Sequence, residues 1–278
     1  MKTNKLRLIG GLALASLLSA SSTYAFDDLI LGFRAPTGTT GATTNVTVNL
    51  GNFIPNFVSG HDSLTLLGNV NADLSNIYGS NWSERGDITF GAAGALELVG
   101  GTGLNPIATT WVGKANEAGA TPDGWTGLSN RTVAQNLRNR VGNMHVGFNA
   151  GQDGTSPLVS LVESSLNGSY TWSTGLADDA FDIPGFSRDQ YEQSASFSSG
   201  SLYQVIDLWQ FVGYGAGNDP TYIGSLGLTA DGDIYYSNNY ANFAAVPEPA
   251  TWAIIVGAAA LGLVGYRRFR RHPLAGIA

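Results

Sequence analysis

Two histidines, His61 and His145, lie in the body of the sequence, and His61 is followed directly by Asp62 and Ser63. Imidazole, carboxylate and hydroxyl are the parts of a nucleophilic triad. Adjacent side chains on an extended strand point to opposite faces, however, and no Gly-x-Ser-x-Gly elbow occurs to expose a serine. Neither histidine belongs to a His-Glu-x-x-His motif, so the pattern for a hydrolytic zinc is missing. These residues read as parts of surface loops. Carboxylates gather at Asp178-Asp179 with Asp182, at Asp231 with Asp233, and at Asp153-Gly154. Ca²⁺ takes about six to eight oxygen ligands, which such loops can supply. None has EF-hand spacing. Asp178, Asp179 and Asp182 are the candidate metal loop, whereas Asp231-Gly232-Asp233 reads as a plain turn. No cofactor other than Ca²⁺ is expected.

Aromatic rings offer a different chemistry, stacking on sugars. Trp82, Trp111, Trp125, Trp172 and Trp209 fall in the body of the chain. Trp125 sits in the polar turn Thr121-Pro122-Asp123-Gly124-Trp125-Thr126-Gly127, which makes it the candidate glycan contact. Its other reading, as an anchor for the loop or the core, stays open. The glycine run Gly100-Gly101-Thr102-Gly103 lacks the Gly-Lys-Ser/Thr of a phosphate loop.

Composition narrows the classes. With no cysteine in 278 residues, disulfide scaffolds, thiolate metal sites and cysteine nucleophiles are excluded. Charged residues make up 13% of the chain and the formal charge is −7, which argues against nucleic acid as a partner. The balance is uneven along the chain. Lys2, Lys5 and Arg7 lie at one end and Arg267, Arg268, Arg270 and Arg271 at the other. The stretch from Asp27 to Glu248 holds all 21 acids against seven bases, a charge of −14. Such a stretch is kept soluble by its charge, and it favours neutral or Ca²⁺-bridged glycans over free polyanions.

Both ends read as topology signals. Residues 1–25 form a secretory signal: a basic start, an apolar run from Leu8 to Leu18, and small residues up to Ala25, after which cleavage is expected. At the other end, Val246-Pro247-Glu248-Pro249 is followed by an uncharged apolar stretch to Tyr266 and then by the four arginines. Fifteen helical residues span about 22 Å, short of the roughly 30 Å hydrocarbon core. Snorkelling arginines, with Trp252 and Tyr266 at the two interfaces, close part of that gap. The arginines should stay cytoplasmic, which puts the rest of the chain outside.

This arrangement over residues 246–271 resembles the PEP-CTERM sorting signal: a Pro-Glu-Pro motif, one transmembrane helix (about 250–266) and an arginine-rich tail. The resemblance implies a Gram-negative bacterium making extracellular polysaccharide, and recognition by an exosortase, a membrane-embedded protease. Processing would fall near Pro247-Glu248-Pro249, where two prolines keep the backbone extended and out of helix. Those residues are then a substrate, not a catalyst. Asp-Leu-Ile-Leu-Gly-Phe, Thr-Asn-Val-Thr-Val-Asn-Leu-Gly, Leu-Ser-Asn-Ile-Tyr-Gly-Ser-Asn-Trp and Tyr-Ile-Gly-Ser-Leu-Gly-Leu-Thr-Ala-Asp-Gly-Asp-Ile are similar to segments of a group of PEP-CTERM surface proteins, which transfers no catalytic residue.

Between the signals, residues 26–245 are rich in Gly, Ser, Thr and Asn and break into short runs. Strands are expected at 28–34, 45–50, 109–112, 169–172, 191–197, 202–212, 222–229 and 234–237. A further hairpin is expected from 87–90 and 96–99 through Gly91-Ala92-Ala93-Gly94. Residues 73–82 suit a short helix and loop. Residues 131–141 suit a helix, with Val133, Leu137 and Val141 on one face and Asn130 as its cap. Many short strands with turns between them predict one mainly β domain, an antiparallel β-sandwich-like fold with one or two short helices, plus the C-terminal transmembrane helix. The expected protein is an exported, non-enzymatic one. It uses the Sec machinery, is held at the inner membrane before processing, and then works at the cell surface or in the extracellular matrix. Its role there is structural or adhesive in exopolysaccharide or biofilm. The alternative is a polysaccharide-binding module or a glycan-active enzyme of the matrix.

Overall fold

The computed structural model describes residues 28–52, 61–95, 109–174 and 186–244, with Leu261 and Tyr266. The signal residues up to Ala25, the 246–249 motif and the four tail arginines lie outside these. So do Asp178, Asp179 and Asp182. Among the described residues, no helix is long and apolar enough to cross a membrane.

The chain is mainly β. Its strands are β1 (Asp28–Arg34), β2 (Thr44–Asn52), β3 (Thr65–Asn69), β4 (Thr89–Ala95), β5 (Thr110–Asn116), β6 (Gln152–Asp153), β7 (Val159–Glu163), β8 (Gln193–Ser194), β9 (Gln204–Phe211), β10 (Thr221–Leu228) and β11 (Asp233–Ser237). The helices are α1 (Asn71–Tyr78), α2 (Arg131–Ala150), α3 (Tyr170–Ser173) and α4 (Arg188–Tyr191). Among the described residues, all strands join one sheet in the order β3-β11-β10-β9-β5-β4-β1-β2-β7-β6, with β8 added beside β4. Every pairing is antiparallel.

A single sheet therefore stands where two packed sheets were expected. It does the work of both by curling. Phe33 and Val48 from one part of the order, and Leu208, Leu226 and Tyr236 from the other, share one buried cluster. The two ends also approach each other: a Cβ on Gly68 of β3 would lie 3.0 Å from Leu158, just before β7. The Asp73 carboxylate of α1 spans this seam, accepting from the backbone N–H of Thr155 at 2.5 Å and of Ser156 at 3.2 Å.

Alternation along β1 shows how both faces are buried. Leu29, Leu31 and Phe33 enter the inner cluster, and Ile30 enters a second cluster on the outer face. There Val133, Leu137, Val141, Met144 and Phe148 of α2 cover the sheet, the i, i+4 stripe of an amphipathic helix. The Asn130 side chain accepts from the Val133 N–H at 3.1 Å and starts the helix as expected. α2 runs nine residues beyond the expected end at Val141. Gly147 within it permits close approach: a Cβ there would come within 2.0 Å of the Gly168 carbonyl oxygen.

Other differences have similar causes. Gly91-Ala92-Ala93-Gly94 is no turn but the middle of β4. Residues 170–173 form a helical turn, and of 191–197 only Gln193–Ser194 is strand. β3, β6 and β7 were not anticipated.

Candidate functional site

β5 presents Val112, Lys114 and Asn116 to the outer face, opposite Trp209, Asp207 and Val205 of β9. Asp207 is almost fully buried. Its Oδ1 accepts from the Ser225 hydroxyl at 2.6 Å and its Oδ2 from the Asn116 amide at 2.6 Å. The Tyr222 hydroxyl lies 2.8 Å from that of Ser225. Burial, with a smaller push from the Asp123 charge, raises the Asp207 carboxyl above its usual range, against the pull of the Ser225 and Asn116 hydrogen bonds and the Lys114 charge. Lys114, directly opposite in the ladder, forms no ion pair with a carboxylate among the described residues.

Above Lys114 the chain leaves a cleft of about 430 Å³, within the size range of small-molecule sites. Its walls include Trp125, Thr126, Ser129, Phe186 and Gln190. Lys114 is the one charged lining residue among those described. Trp125 is half-buried, tilted against Phe186 with ring centroids 4.2 Å apart and edge-on to Phe211 at 4.8 Å. Two bonds fix its loop: the Gly127 N–H donates to Asp219 at 3.4 Å, and the Leu128 carbonyl accepts from the Gly215 N–H at 2.7 Å. Directly after comes the Asn130 cap, so the first turn of α2 forms one side of the cleft.

Of the candidate site residues that are described, Trp125 alone lines this cleft. It serves both readings, a cleft wall and an anchor in an aromatic cluster. Trp82, Trp111 and Trp209 are buried. Lys114 was missed. Its signal was there to find, since it is the only lysine beyond Lys5.

Most of the other described candidates are engaged within the fold. His61 Nδ1 lies 3.0 Å from the Thr65 hydroxyl, its carbonyl accepts from Asn238 and Ser237, and its ring is edge-on to Tyr236. His145 is buried in α2. Asp231-Gly232-Asp233 is the turn of the β10–β11 hairpin, with Gly232 at φ 78°. Asp233 accepts from the Asn69 side chain at 2.7 Å, which ties β11 to β3. Among the described residues, no three metal-ligating side chains cluster, and Asp153 is exposed on β6.

A second buried charge lies on the outer face. Arg34 Nε donates to Glu192 Oε1 at 2.6 Å, Nη2 donates to Oε2, and the Thr89 hydroxyl donates to Oε2 at 2.9 Å. Comparison with family models, with curated proteins and with solved structures gives no match.

Proposed function

We propose that this chain is an exported cell-surface or extracellular-matrix protein, structural or adhesive within exopolysaccharide. In this reading the Sec machinery exports it and the apolar stretch about 250–266 holds it at the inner membrane. An exosortase then processes it near Pro247-Glu248-Pro249. What carries the reading is the order of the C-terminal features in the sequence, Pro-Glu-Pro, apolar stretch, arginine cluster. The positive-inside rule supports the same topology, with the acidic 27–248 stretch outside. His61, Asp233 and Asp207 support a non-catalytic role, since each is engaged in holding strands or loops together. The test is replacement of Pro247 and Glu248 by Ala in an exosortase-competent host, followed by fractionation. Accumulation of a larger, membrane-held form is expected. Unchanged size and location would overturn the sorting claim.

The cleft at Trp125 favours a second reading, a polysaccharide-binding module. An aromatic wall with hydroxyl and amide groups around it is the kind of surface on which a sugar ring can rest. A glycan array probed with the full chain tests it, and specific binding lost in Trp125→Ala is the expected result. Silence across the array favours the purely structural role.

A further inference from the structure

We infer that the Trp125 cleft takes a sugar ring bearing a carboxylate, a uronic acid unit, with Lys114 as the contact for its anionic group. The inference rests on the glycan-binding reading and adds the class of sugar. The overall charge favours the opposite, that anionic glycans need a bridging cation, but no carboxylate is among the described lining residues, and Asp219 beside Gly127 accepts that residue's N–H. The cleft's one charged lining residue among those described is a cation, in a stretch of chain with a charge of −14.

Lys114 is placed to meet an anion. The nearest acid in the ladder is Asp207, and that carboxylate is already engaged, with Ser225 on one oxygen and Asn116 on the other. It does not line the cleft. Asp207 thus offsets the Lys114 charge from within the sheet without occupying its ammonium group as an ion-pair partner. The first turn of α2 adds partial positive charge to the same cleft, where Ser129 and Val133 are lining residues. Trp125 supplies the apolar surface that a ring face needs, and the Phe186 and Phe211 contacts fix its plane beforehand. Thr126, Ser129 and Gln190 bring hydroxyl and amide groups suited to ring hydroxyls. A carboxylate, a ring face and hydroxyls together are what a uronate presents.

The experiment titrates the full chain by calorimetry with oligomers of galacturonate, glucuronate and mannuronate, and with neutral hexose oligomers of the same length. At least one uronate oligomer should bind about tenfold tighter than its neutral counterpart, the scale of one charge-assisted contact. Lys114→Gln should abolish that preference and leave weak binding of both, while Trp125→Ala should remove both. Lys114 is only partly buried, so the Gln variant is expected to fold, and circular dichroism checks it. Equal affinity for acidic and neutral oligomers, or a Lys114→Gln protein that keeps the preference, overturns the inference and leaves glycan binding standing. Displacement of the uronate by an equal concentration of acetate also overturns it, because the ring would then contribute nothing. No binding of any oligomer to the folded chain overturns both readings.

Discussion

The Asp73 carboxylate receives the Thr155 backbone N–H at 2.5 Å, and through that bond the two ends of the curled sheet are fastened to each other. Asp73 follows β3 and Thr155 lies between β6 and β7, the last strands at either end of the order. The acid is 1% exposed and also accepts from Ser156, so truncation removes both of the bonds it makes across the seam. Asp73→Ala is therefore expected to cost about 2–3 kcal/mol in denaturant unfolding, the range for a hydrogen-bonded charge. A loss under about 0.5 kcal/mol, typical of a surface site, would mean the seam is held elsewhere.

Gly32 and Gly91 face each other across β1 and β4, and the rings of Tyr170 and Tyr191 lie over them. A Cβ at Gly32 would sit 2.0 Å from the Tyr170 ring, and one at Gly91 would sit 2.6 Å from Tyr191. Gly32→Ala should cost at least about 1–3 kcal/mol by overpacking. In a Tyr170→Ala background the same change should cost almost nothing. A double-mutant cycle measures this, and additive costs would show that the ring is not what excludes the methyl.

The same glycines show where the sequence could and could not be read. The β10–β11 hairpin was legible because Asp231-Gly232 sits between alternating runs and its turn depends only on local backbone conformation. α2 was legible at its start, where Asn130 and the Val133 stripe are local signals, and not at its end, where Gly142 and Gly147 lower helix propensity. What overrides them is tertiary contact with the Gly168 segment. Gly91-Ala92-Ala93-Gly94 looked like a turn because small residues also serve turns. Here they make room for two tyrosines that come from 79 and 100 residues along the chain (170 − 91 and 191 − 91). β7 has few polar alternations, and its place beside β2 is a long-range fact. At the cleft, Trp125 was legible from its polar turn. Lys114 stands out in the sequence as the only lysine beyond Lys5, but its place at the cleft and its register opposite Asp207 are long-range facts.

Glu192 has a nearly buried side chain, 3% exposed, and Arg34 is 15% exposed. Glu192→Ala leaves the guanidinium without its counter-ion and the Thr89 hydroxyl without its acceptor. A loss of about 3 kcal/mol in thermal or denaturant unfolding is expected. Replacing both Arg34 and Glu192 by Met should recover most of it, since an apolar pair carries no desolvation cost. A double variant as unstable as the single one would count against this account.

Alkali offers a pH test with a definite sign. Burial raises the phenols of Tyr78, Tyr170, Tyr191 and Tyr236 above their ordinary value and pushes Tyr222 up to about 12. A group with a raised native value stabilises fully below its unfolded pKa, about 10, and that contribution is lost as pH climbs through the native value. Stability should therefore hold up to about pH 10 and fall from there toward pH 12. Tyrosinate absorbance from these residues should appear together with loss of the circular-dichroism signal. Their ionisation in a chain that keeps its native spectrum would contradict the burial described.

The order of the sheet also sets the order in which it can be built. β3 finds its partner β11 through contacts such as Asn69 to Asp233, 164 residues apart, and β5 meets β9 through Asn116 and Asp207, 91 apart. Pairings at such separations are slow to form, because the loop entropy is lost before the contacts are gained. β3 stays without a neighbour, and β5 without its second one, until the last third of the chain has been made. For a protein proposed to be threaded unfolded through a membrane channel, that delay is an asset: it keeps the emerging chain open until most of it is across.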